Sequence, residues 1–318
     1  MRVLVAAFFT VVFTQFALAE LPKVNISVLK FGTVNWELDT IKRLGLDTKN
    51  GFELEVNGVA GGAAAKVAFQ GGETNVIVTD WLWVARQRAQ GKDYRFIPYS
   101  KSVGSLIVKN DSPIQTLEDV RGAKVGIAGG PLDKSWLILR AYAMQEYGMD
   151  LKADTEQVFG APPLMMKAAL TGETDAAINF WHFSAKMKAK GMRSVITVDT
   201  AALALGLDPN TPLLGYVLEG SYADENPDIV AGLANASRTA KDVLGGDDAA
   251  WAHLKGRMKP KSDEEFAALI EGFREGIPSE DPIDIDAANR MLMVMADLGG
   301  ADLVGDLTKL PDGLFIRP

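Results

Sequence analysis

Aromatic side chains are concentrated where this chain could bind a ligand. Five of the six tryptophans follow closely after segments that we predict to be strands, and these are Trp36, Trp81, Trp83, Trp136 and Trp181. Aromatic rings hold flat rings and organic cations, and a desolvated cation–π contact contributes up to about 2 kcal/mol. We therefore expect a binding site with an aromatic wall. For each tryptophan taken alone, packing in the core is the alternative.

Polar groups and glycines in the same segments complete the candidate site. Charge there is sparse and includes no arginine, the side chain best suited to hold a dianion. Glycine-rich turns can still present backbone N–H groups that bind a sulfonate or a carboxylate. Asp80 and Asp133 could contact an amino group, or could cap the helices that follow them. The predicted ligand contacts are Asn35, Trp36, Asp39, Gly61, Gly62, Asp80, Trp81, Ser102, Gly130, Asp133, Trp136, Asn179, Trp181 and His182.

Few residues in the sequence could carry catalysis. The two histidines, His182 and His253, lie far apart in the chain, and there is no cysteine. A zinc cluster or a thiol nucleophile cannot be assembled from this set. The Gly-x-Ser-x-Gly motif, the phosphate-binding loop and the Gly-x-Gly-x-x-Gly motif do not occur. We expect a binding protein with no cofactor and no metal rather than an enzyme.

An internal repeat indicates how these residues are positioned. Residues 66–85 read KVAFQGGETNVIVTDWLWVA, and residues 167–185 read KAALTGETDAAINFWHFSA. Each copy predicts the end of a helix, a glycine turn, a short strand and a tryptophan that opens the next helix. Trp81 and Trp181 would then lie at equivalent strand ends, where open α/β sheets bind ligands, and would face each other. The alternative is that Gly-Glu-Thr is merely a common connector.

Length and composition favour a two-domain exported protein. The 318 residues suit two domains, and the net charge of −8 argues against a nucleic-acid partner. Residues 1–20 combine one arginine, an apolar run and small residues at Ala17 and Ala19, which predicts a signal peptide (residues 1–19) cleaved after Ala19. A membrane anchor is the alternative, although the run is short for a span. Without cysteine the chain cannot be a lipoprotein, and we expect it in the periplasm without stable membrane insertion.

The order of predicted elements gives the domain organisation. Strands and helices alternate, which implies mainly parallel sheets covered by helices on both faces. We predict a first lobe from residues 20–107 and 214–318 and a second lobe from residues 108–213. The polar turn at residues 110–113 is predicted to be a crossing between them. The helical segment after residue 226 is predicted to pack on the first lobe.

Two segments resemble a known family. Residues 108–114 read VKNDSPI and residues 117–126 read LEDVRGAKVG. They are similar to the signature of the substrate-binding proteins of ABC importers in the nitrate, taurine and sulfonate group, with Val120 in place of the usual leucine and Ala123 before the lysine. The resemblance extends over residues 24–218 and is weaker in the helical tail.

The resemblance implies a fold and a function. The fold is the type II periplasmic-binding-protein fold, with two α/β lobes joined by two strands that close over a small-molecule ligand. The partners are an inner-membrane permease and its ATPase, and the protein is expected to be a monomer. We expect an aromatic, heterocyclic or amine-bearing organic solute, with a sulfonate- or taurine-like anion as the alternative. A ligand-sensing input protein for a receptor kinase is a second class. A periplasmic enzyme, or a relative of the pyrimidine-synthesising branch, is a third, and it would need Cys/His iron chemistry that this chain lacks.

Overall fold

Two five-stranded sheets form the framework of the computed structural model, which describes residues 20–316. The first sheet has the order β2-β1-β3-β10-β4 and the second has the order β7-β6-β8-β5-β9. The strands of the first sheet are β1 Lys23–Leu29, β2 Glu53–Val59, β3 Val76–Asp80, β4 Tyr94–Ser100 and β10 Leu214–Glu219. Those of the second are β5 Ser105–Lys109, β6 Lys124–Ala128, β7 Glu156–Gly160, β8 Ala176–Asn179 and β9 Met192–Thr197.

One strand in each sheet runs against the others. Strand β10 is antiparallel to β3 and β4, and β5 is antiparallel to β8 and β9, whereas β1 and β6 pair in parallel with both of their neighbours. Strands β5 and β10 are the first strands after the two segments in which the chain passes from one lobe to the other. The mainly parallel sheets and the two-lobe α/β architecture predicted from the sequence are confirmed.

Helices cover both sheets. In the first half of the chain they are α1 Val34–Leu44, α2 Leu46–Lys49, α3 Gly62–Gln70, α4 Trp81–Ala89, α5 Lys134–Tyr147, α6 Leu151–Asp154, α7 Pro162–Thr171 and α8 Trp181–Lys188. The later helices are α9 Val198–Ala204, α10 Gly220–Glu225, α11 Pro227–Gly246, α12 Lys255–Met258, α13 Asp263–Glu275, α14 Ile285–Gly299 and α15 Ala301–Val304. Within residues 20–316, no helix combines the length and the apolar character needed to cross a bilayer. The predicted signal peptide lies outside the described residues.

The repeat takes the same form in both lobes. Gly72 and Gly172 follow α3 and α7 with φ angles of 75° and 81°, which residues that carry a Cβ rarely adopt. In each copy the residue after this glycine donates its backbone N–H to the carbonyl five residues earlier. Glu73 donates to Ala68 and Glu173 donates to Ala168, both at 2.9 Å. Strands β3 and β8 follow, and helices α4 and α8 begin directly at or after their ends. The sequence repeat is therefore a structural repeat.

The passages between the lobes differ in position from the prediction. Strand β5 already pairs with β8 and β9 from Ser105 onward, so the chain has changed lobes within residues 101–104. It returns through residues 205–213. The polar turn at residues 110–113 is not a crossing, because it follows β5 inside the second lobe, with Ser112 N–H bonded to the Lys109 carbonyl at 3.0 Å. The first boundary thus lies a few residues before the predicted residue 107.

The C-terminal helices touch both lobes rather than the first alone. Helix α11 packs on α1 and α2 in the first lobe, as predicted. Helix α13, however, packs against α8, and α14 packs against α5, both in the second lobe. The C-terminal helices therefore connect the two lobes, with α13 in contact with α8 and α14 in contact with α5.

A buried ion pair in the first lobe joins α1 to α11. Lys241 Nζ is 2.6 Å from Glu37 Oε2, and the two side chains are 3% and 0% exposed. Tyr216 and Ser237 each donate a hydroxyl hydrogen bond to Glu37 Oε1 at 2.6 Å. Burial, with the Glu37 carboxylate beside it, raises the pKa of Tyr216, so the phenol keeps its proton and donates. The network joins α1, α11 and β10.

Candidate functional site

The carboxyl ends of the parallel strands of the two sheets face each other across the cleft between the lobes. Asp80 ends β3 in the first lobe, and Lys134 begins α5 after β6 in the second. Lys134 Nζ lies 3.2 Å from Asp80 Oδ2, and both side chains are largely buried. Ligands of open α/β sheets bind at such strand ends. This contact therefore marks the candidate site.

A second lysine stands beside this ion pair. Lys66, on α3, places its ammonium 4.9 Å from the ring centroid of Trp83, the residue whose backbone N–H bonds to Asp80 Oδ1 at 2.9 Å. Burial lowers the pKa of Lys66, with Asp80 opposing the shift and Lys134 adding to it. Burial alone would raise the pKa of Asp80, but the charges of Lys134 and Lys66 hold it below its usual range. The two lysines and the carboxylate thus form one electrostatic cluster.

Glycines border open space at the start of α3, the helix of Lys66, and in the loop before α5, the helix of Lys134. Gly61 is the N-cap of α3, and among residues 20–316 no side chain caps this helix, whose first turn contains no acidic residue. A Cβ built on Gly61 or on Gly130 would meet nothing within 4 Å, and one on Gly62 would meet only Leu29 Cδ1 at 4.0 Å. Backbone N–H groups at the start of a helix have no intrahelical partners. The amino end of α3 can therefore receive an anionic group, one helical turn before Lys66.

Two of the three predicted acidic contacts, Asp80 and Asp133, act as helix caps. Asp80 caps α4, and Asp133 caps α5 by accepting the Trp136 backbone N–H at 3.1 Å. Burial raises the pKa of Asp133 from 3.8 to about 6, against the lowering effect of its bond to Trp136. The capping alternative therefore applies to both residues, and Asp80 adds the contact with Lys134.

The predicted pair of facing tryptophans is wrong. Trp81 is 0% exposed and packs in the core of the first lobe, with its ring centroid 6.1 Å from that of Phe315. Trp181 is only partly buried and makes an edge contact with Trp36, at 5.8 Å between ring centroids. Trp136 is buried against other side chains as well. The two repeat-related rings differ because the C-terminal segment at Phe315 covers the first, whereas α13 covers the second.

Several other predicted contacts have structural partners instead. Asn35 donates through Nδ2 to the carbonyls of Leu29 and Gly32, at 2.9 and 2.8 Å, and so holds the turn between β1 and α1. Asp39 pairs with Arg257 on the outside of the first lobe. Asn179 donates to the Pro162 carbonyl at 3.0 Å in the second lobe. Asn35 thus holds the turn after β1, Asn179 ties the end of β8 to the start of α7, and Asp39 links α1 to α12.

Ser102 and His182 lie near the lobe interface but outside the lysine cluster. Ser102 Oγ is 3.4 Å from the Gly272 carbonyl of α13. His182 stacks at a tilt on Phe183, with 4.6 Å between ring centroids, and its Nδ1 is buried without a hydrogen-bond partner among residues 20–316. Burial lowers the pKa of His182 to about 3, so the ring is neutral. A neutral imidazole here offers no charge to a ligand.

A separate cavity lies where the chain crosses between the lobes. It has a volume of about 680 Å³ and is bounded by residues 101–105, by Pro209 and Asn210, and by α8 and α13. Trp181 forms part of its wall. Three carboxylates also line it, from Asp199, Glu271 and Glu275. This cavity and the Lys66 cluster are two distinct places at which the lobes meet.

Lys66 and Lys134 are the residues that the sequence prediction missed. Lys134 directly follows a predicted helix cap, and Lys66 lies four residues after Gly62, so each occupies the first or second turn of a helix that opens at the cleft. A lysine in the first or second turn of a helix that begins at the cleft was the sequence signal that could have identified both residues. In the part of the chain that the structure describes, no cluster of histidine and carboxylate side chains is suited to a metal ion.

The two sheets, the two crossings and the cleft define the class of protein fold to which the chain belongs. Two mixed sheets flanked by helices and joined by two crossings form the two-lobe fold of the periplasmic binding proteins. The chain belongs to the NMT1/THI5-like family, whose model matches residues 42–246. The resemblance and the fold class expected from the sequence are thereby confirmed. No curated protein sequence matches the chain significantly.

Solved structures show the same fold at low sequence identity. The periplasmic aliphatic sulphonate binding protein SsuA from Escherichia coli is 18% identical, with a TM-score of 0.71 over 93% of this chain and 94% of that one. The alkanesulfonate-binding protein SsuA from Xanthomonas axonopodis pv. citri, bound to MOPS, is 16% identical, with a TM-score of 0.69 over 94% and 100%. The desulfurization enzyme DSZB is 14% identical, with a TM-score of 0.57 over 92% and 97%. The fold is therefore shared by binding proteins and at least one enzyme.

Proposed function

We propose that the protein is a periplasmic receptor that binds a small organic anion between its lobes and delivers it to an ABC importer. The family and the fold support the receptor class, and two of the similar structures are sulfonate-binding proteins by name. Export with cleavage after Ala19, a monomeric state, and a permease with its ATPase as partners are part of this proposal. Closure of the lobes on the ligand would create the form that the permease recognises.

The positive charge of Lys66, which is unpaired in the part of the chain that the structure describes, is the observation that favours an anionic ligand. The charges of Lys134 and Asp80 compensate each other at 3.2 Å, and Asp133 is engaged in capping α5. Within residues 20–316, Lys66 has no carboxylate within ion-pair distance, and it stands one turn after the uncapped start of α3. An ammonium that is partly desolvated gains from an anionic partner. A sulfonate or carboxylate could bind Lys66 and the backbone N–H groups of Gly61 and Gly62 together.

Binding rather than catalysis fits the chemistry of the cleft. The chain has no cysteine, and the ring of His182 is neutral because its pKa is lowered to about 3. The fold does not decide the matter, because DSZB is an enzyme by name. Turnover of a bound solute by the purified protein would revive the enzymatic alternative. A sensory role for the same receptor would be favoured by a neighbouring gene for a receptor kinase, and import by genes for a permease and an ATPase.

An amine-bearing ligand is the second candidate. The cavity at the crossings favours it, because the Trp181 ring and the carboxylates of Asp199, Glu271 and Glu275 offer cation–π and ionic contacts. Lys101 and Lys188 also line that cavity and reduce its negative charge. The aromatic walls expected from Trp81 and Trp136 do not support this candidate, since both rings are in the core.

Calorimetric titration with n-butyl sulfate tests the proposal. The variant Lys66→Met should lose about 10- to 100-fold in affinity, as expected when a hydrogen bond to a charged group is removed. The matched control is Lys167→Met, which alters the equivalent lysine of the second repeat on α7, an exposed residue. The control should bind as the wild type does. Equal affinity of wild type and Lys66→Met would contradict the proposal.

A further inference from the structure

We propose that Asp80 determines the charge of the ligand, by neutralising Lys134 so that the cleft accepts monoanions and rejects dianions. This inference rests on the proposed function, because it concerns the same cleft. Asp80 Oδ2 lies 3.2 Å from Lys134 Nζ across the two lobes. One lysine is thus already paired before any ligand arrives. Among residues 20–316, no carboxylate lies within ion-pair distance of the other ammonium of the cluster, that of Lys66.

The position of Asp80 makes it a fixed counter-charge. Its Oδ1 accepts the Trp83 backbone N–H at 2.9 Å, which ties the carboxylate to the start of α4. Thr79 Oγ1 lies 3.5 Å from its other oxygen. A carboxylate held in this way cannot turn away when an anion enters. Its charge therefore repels the second negative charge of a dianion.

Asp80 and Lys134 lie in a partly buried part of the cleft, where repulsion between like charges is strong. Asp80 and Lys134 are 13% and 26% exposed, so water screens their charges poorly. A monoanion needs one positive charge, and Lys66 with the N–H groups of α3 supplies it. A dianion needs a second positive charge, and that of Lys134 is already paired with Asp80. Rejection by a built-in like charge is a general route to specificity.

The variant Asp80→Asn isolates this effect. Asparagine caps helices about as well as aspartate, so the start of α4 is retained while the charge is lost. Lys134 then becomes available to a ligand. The matched control is Asp284→Asn, which alters the cap of α14, where the side chain accepts from the backbone N–H groups of Asp286 and Ala287.

The probes are n-butyl sulfate and n-butyl phosphate, which have nearly the same shape. The sulfate ester carries one negative charge near neutral pH, whereas the phosphate ester carries close to two, because its second pKa is about 6. Calorimetry should show that wild type and Asp284→Asn prefer the sulfate by at least about tenfold. In Asp80→Asn this ratio should fall by about tenfold or more, which corresponds to about 1.4 kcal/mol.

A second pair of variants tests the same idea without relying on Asp80→Asn alone. Lys134→Met leaves the Asp80 carboxylate unpaired, and should weaken binding of both probes by about tenfold or more. The double variant Asp80→Asn with Lys134→Met removes both charges, and should regain the wild-type affinity for butyl sulfate.

The outcomes separate the two proposals. If Asp80→Asn binds butyl sulfate but keeps the wild-type ratio between the probes, or if the double variant stays as weak as Lys134→Met, the role of Asp80 is refuted while the anion receptor stands. If wild type and variants bind neither probe, or if Lys66→Met binds both as tightly as wild type does, the proposed function fails and the inference fails with it.

Discussion

The buried pair of Glu37 and Lys241 allows a quantitative prediction. In Lys241→Met the Glu37 carboxylate stays buried, and keeps only the hydroxyl groups of Tyr216 and Ser237, each at 2.6 Å, as partners. Removing one member of a buried pair costs about 3–5 kcal/mol, because the other charge is left uncompensated. In a protein of this size that loss corresponds to a fall in Tm of roughly 5–8 °C.

The assay is thermal unfolding followed by circular dichroism, with two comparison variants. Combining Lys241→Met with Glu37→Gln removes both charges and keeps an acceptor for the two hydroxyl groups, so most of the lost stability should return. Lys255→Met breaks the exposed pair with Asp263 and should cost less than about 1 kcal/mol. The reasoning is refuted if Lys241→Met is no more destabilising than Lys255→Met.

Three further predictions concern the lobe interface. Gly272→Ala should destabilise the protein by about 1–3 kcal/mol and change tryptophan emission, because the new Cβ would lie 2.8 Å from Trp181 Cε3. Asp133→Asn should stabilise the protein at pH 7 but not below about pH 4. The folded wild type binds the extra proton between the normal pKa of 3.8 and the raised pKa of about 6, so it loses stability as the pH rises through that window. His182 should show no ring-proton titration by NMR between about pH 5 and 8, since its pKa is lowered to about 3.

Each of these predictions has a control or a contrary result. Gly256→Ala, in α12, places a Cβ in open space and should leave stability unchanged or slightly higher. Equal Tm values for Gly272→Ala and Gly256→Ala would show that α13 can move away from Trp181. A constant Tm difference between Asp133→Asn and wild type at all pH values would exclude the raised pKa. A His182 titration near pH 6.5 would show that the ring is solvated.

The sequence predicted the repeated unit because its information is local. The glycine turn, the short apolar strand and the helix that follows are set within about twenty residues, and both copies fold as predicted at Gly72 and Gly172. The crossing was misplaced because residues 110–113 contain the stronger turn residues. The true crossing at residues 101–104 has only one glycine to mark it.

The candidate site was harder to predict because its partners are distant in the sequence. Trp81 and Trp181 are equivalent within the repeat, but Phe315 covers one and α13 covers the other, and neither lies near the repeat in sequence. The same applies to the contact of Asp80 with Lys134, which joins two lobes. Amphipathic patterns likewise show that α13 and α14 bury one face, but they do not show against which lobe.

A crystal structure of the protein with n-butyl sulfate tests the central claim most directly. We expect the sulfate group between the lobes, within hydrogen-bond distance of Lys66 Nζ and of the backbone N–H groups at Gly61 and Gly62. A sulfate group bound instead in the cavity beside Trp181, or outside the cleft altogether, would contradict the claim.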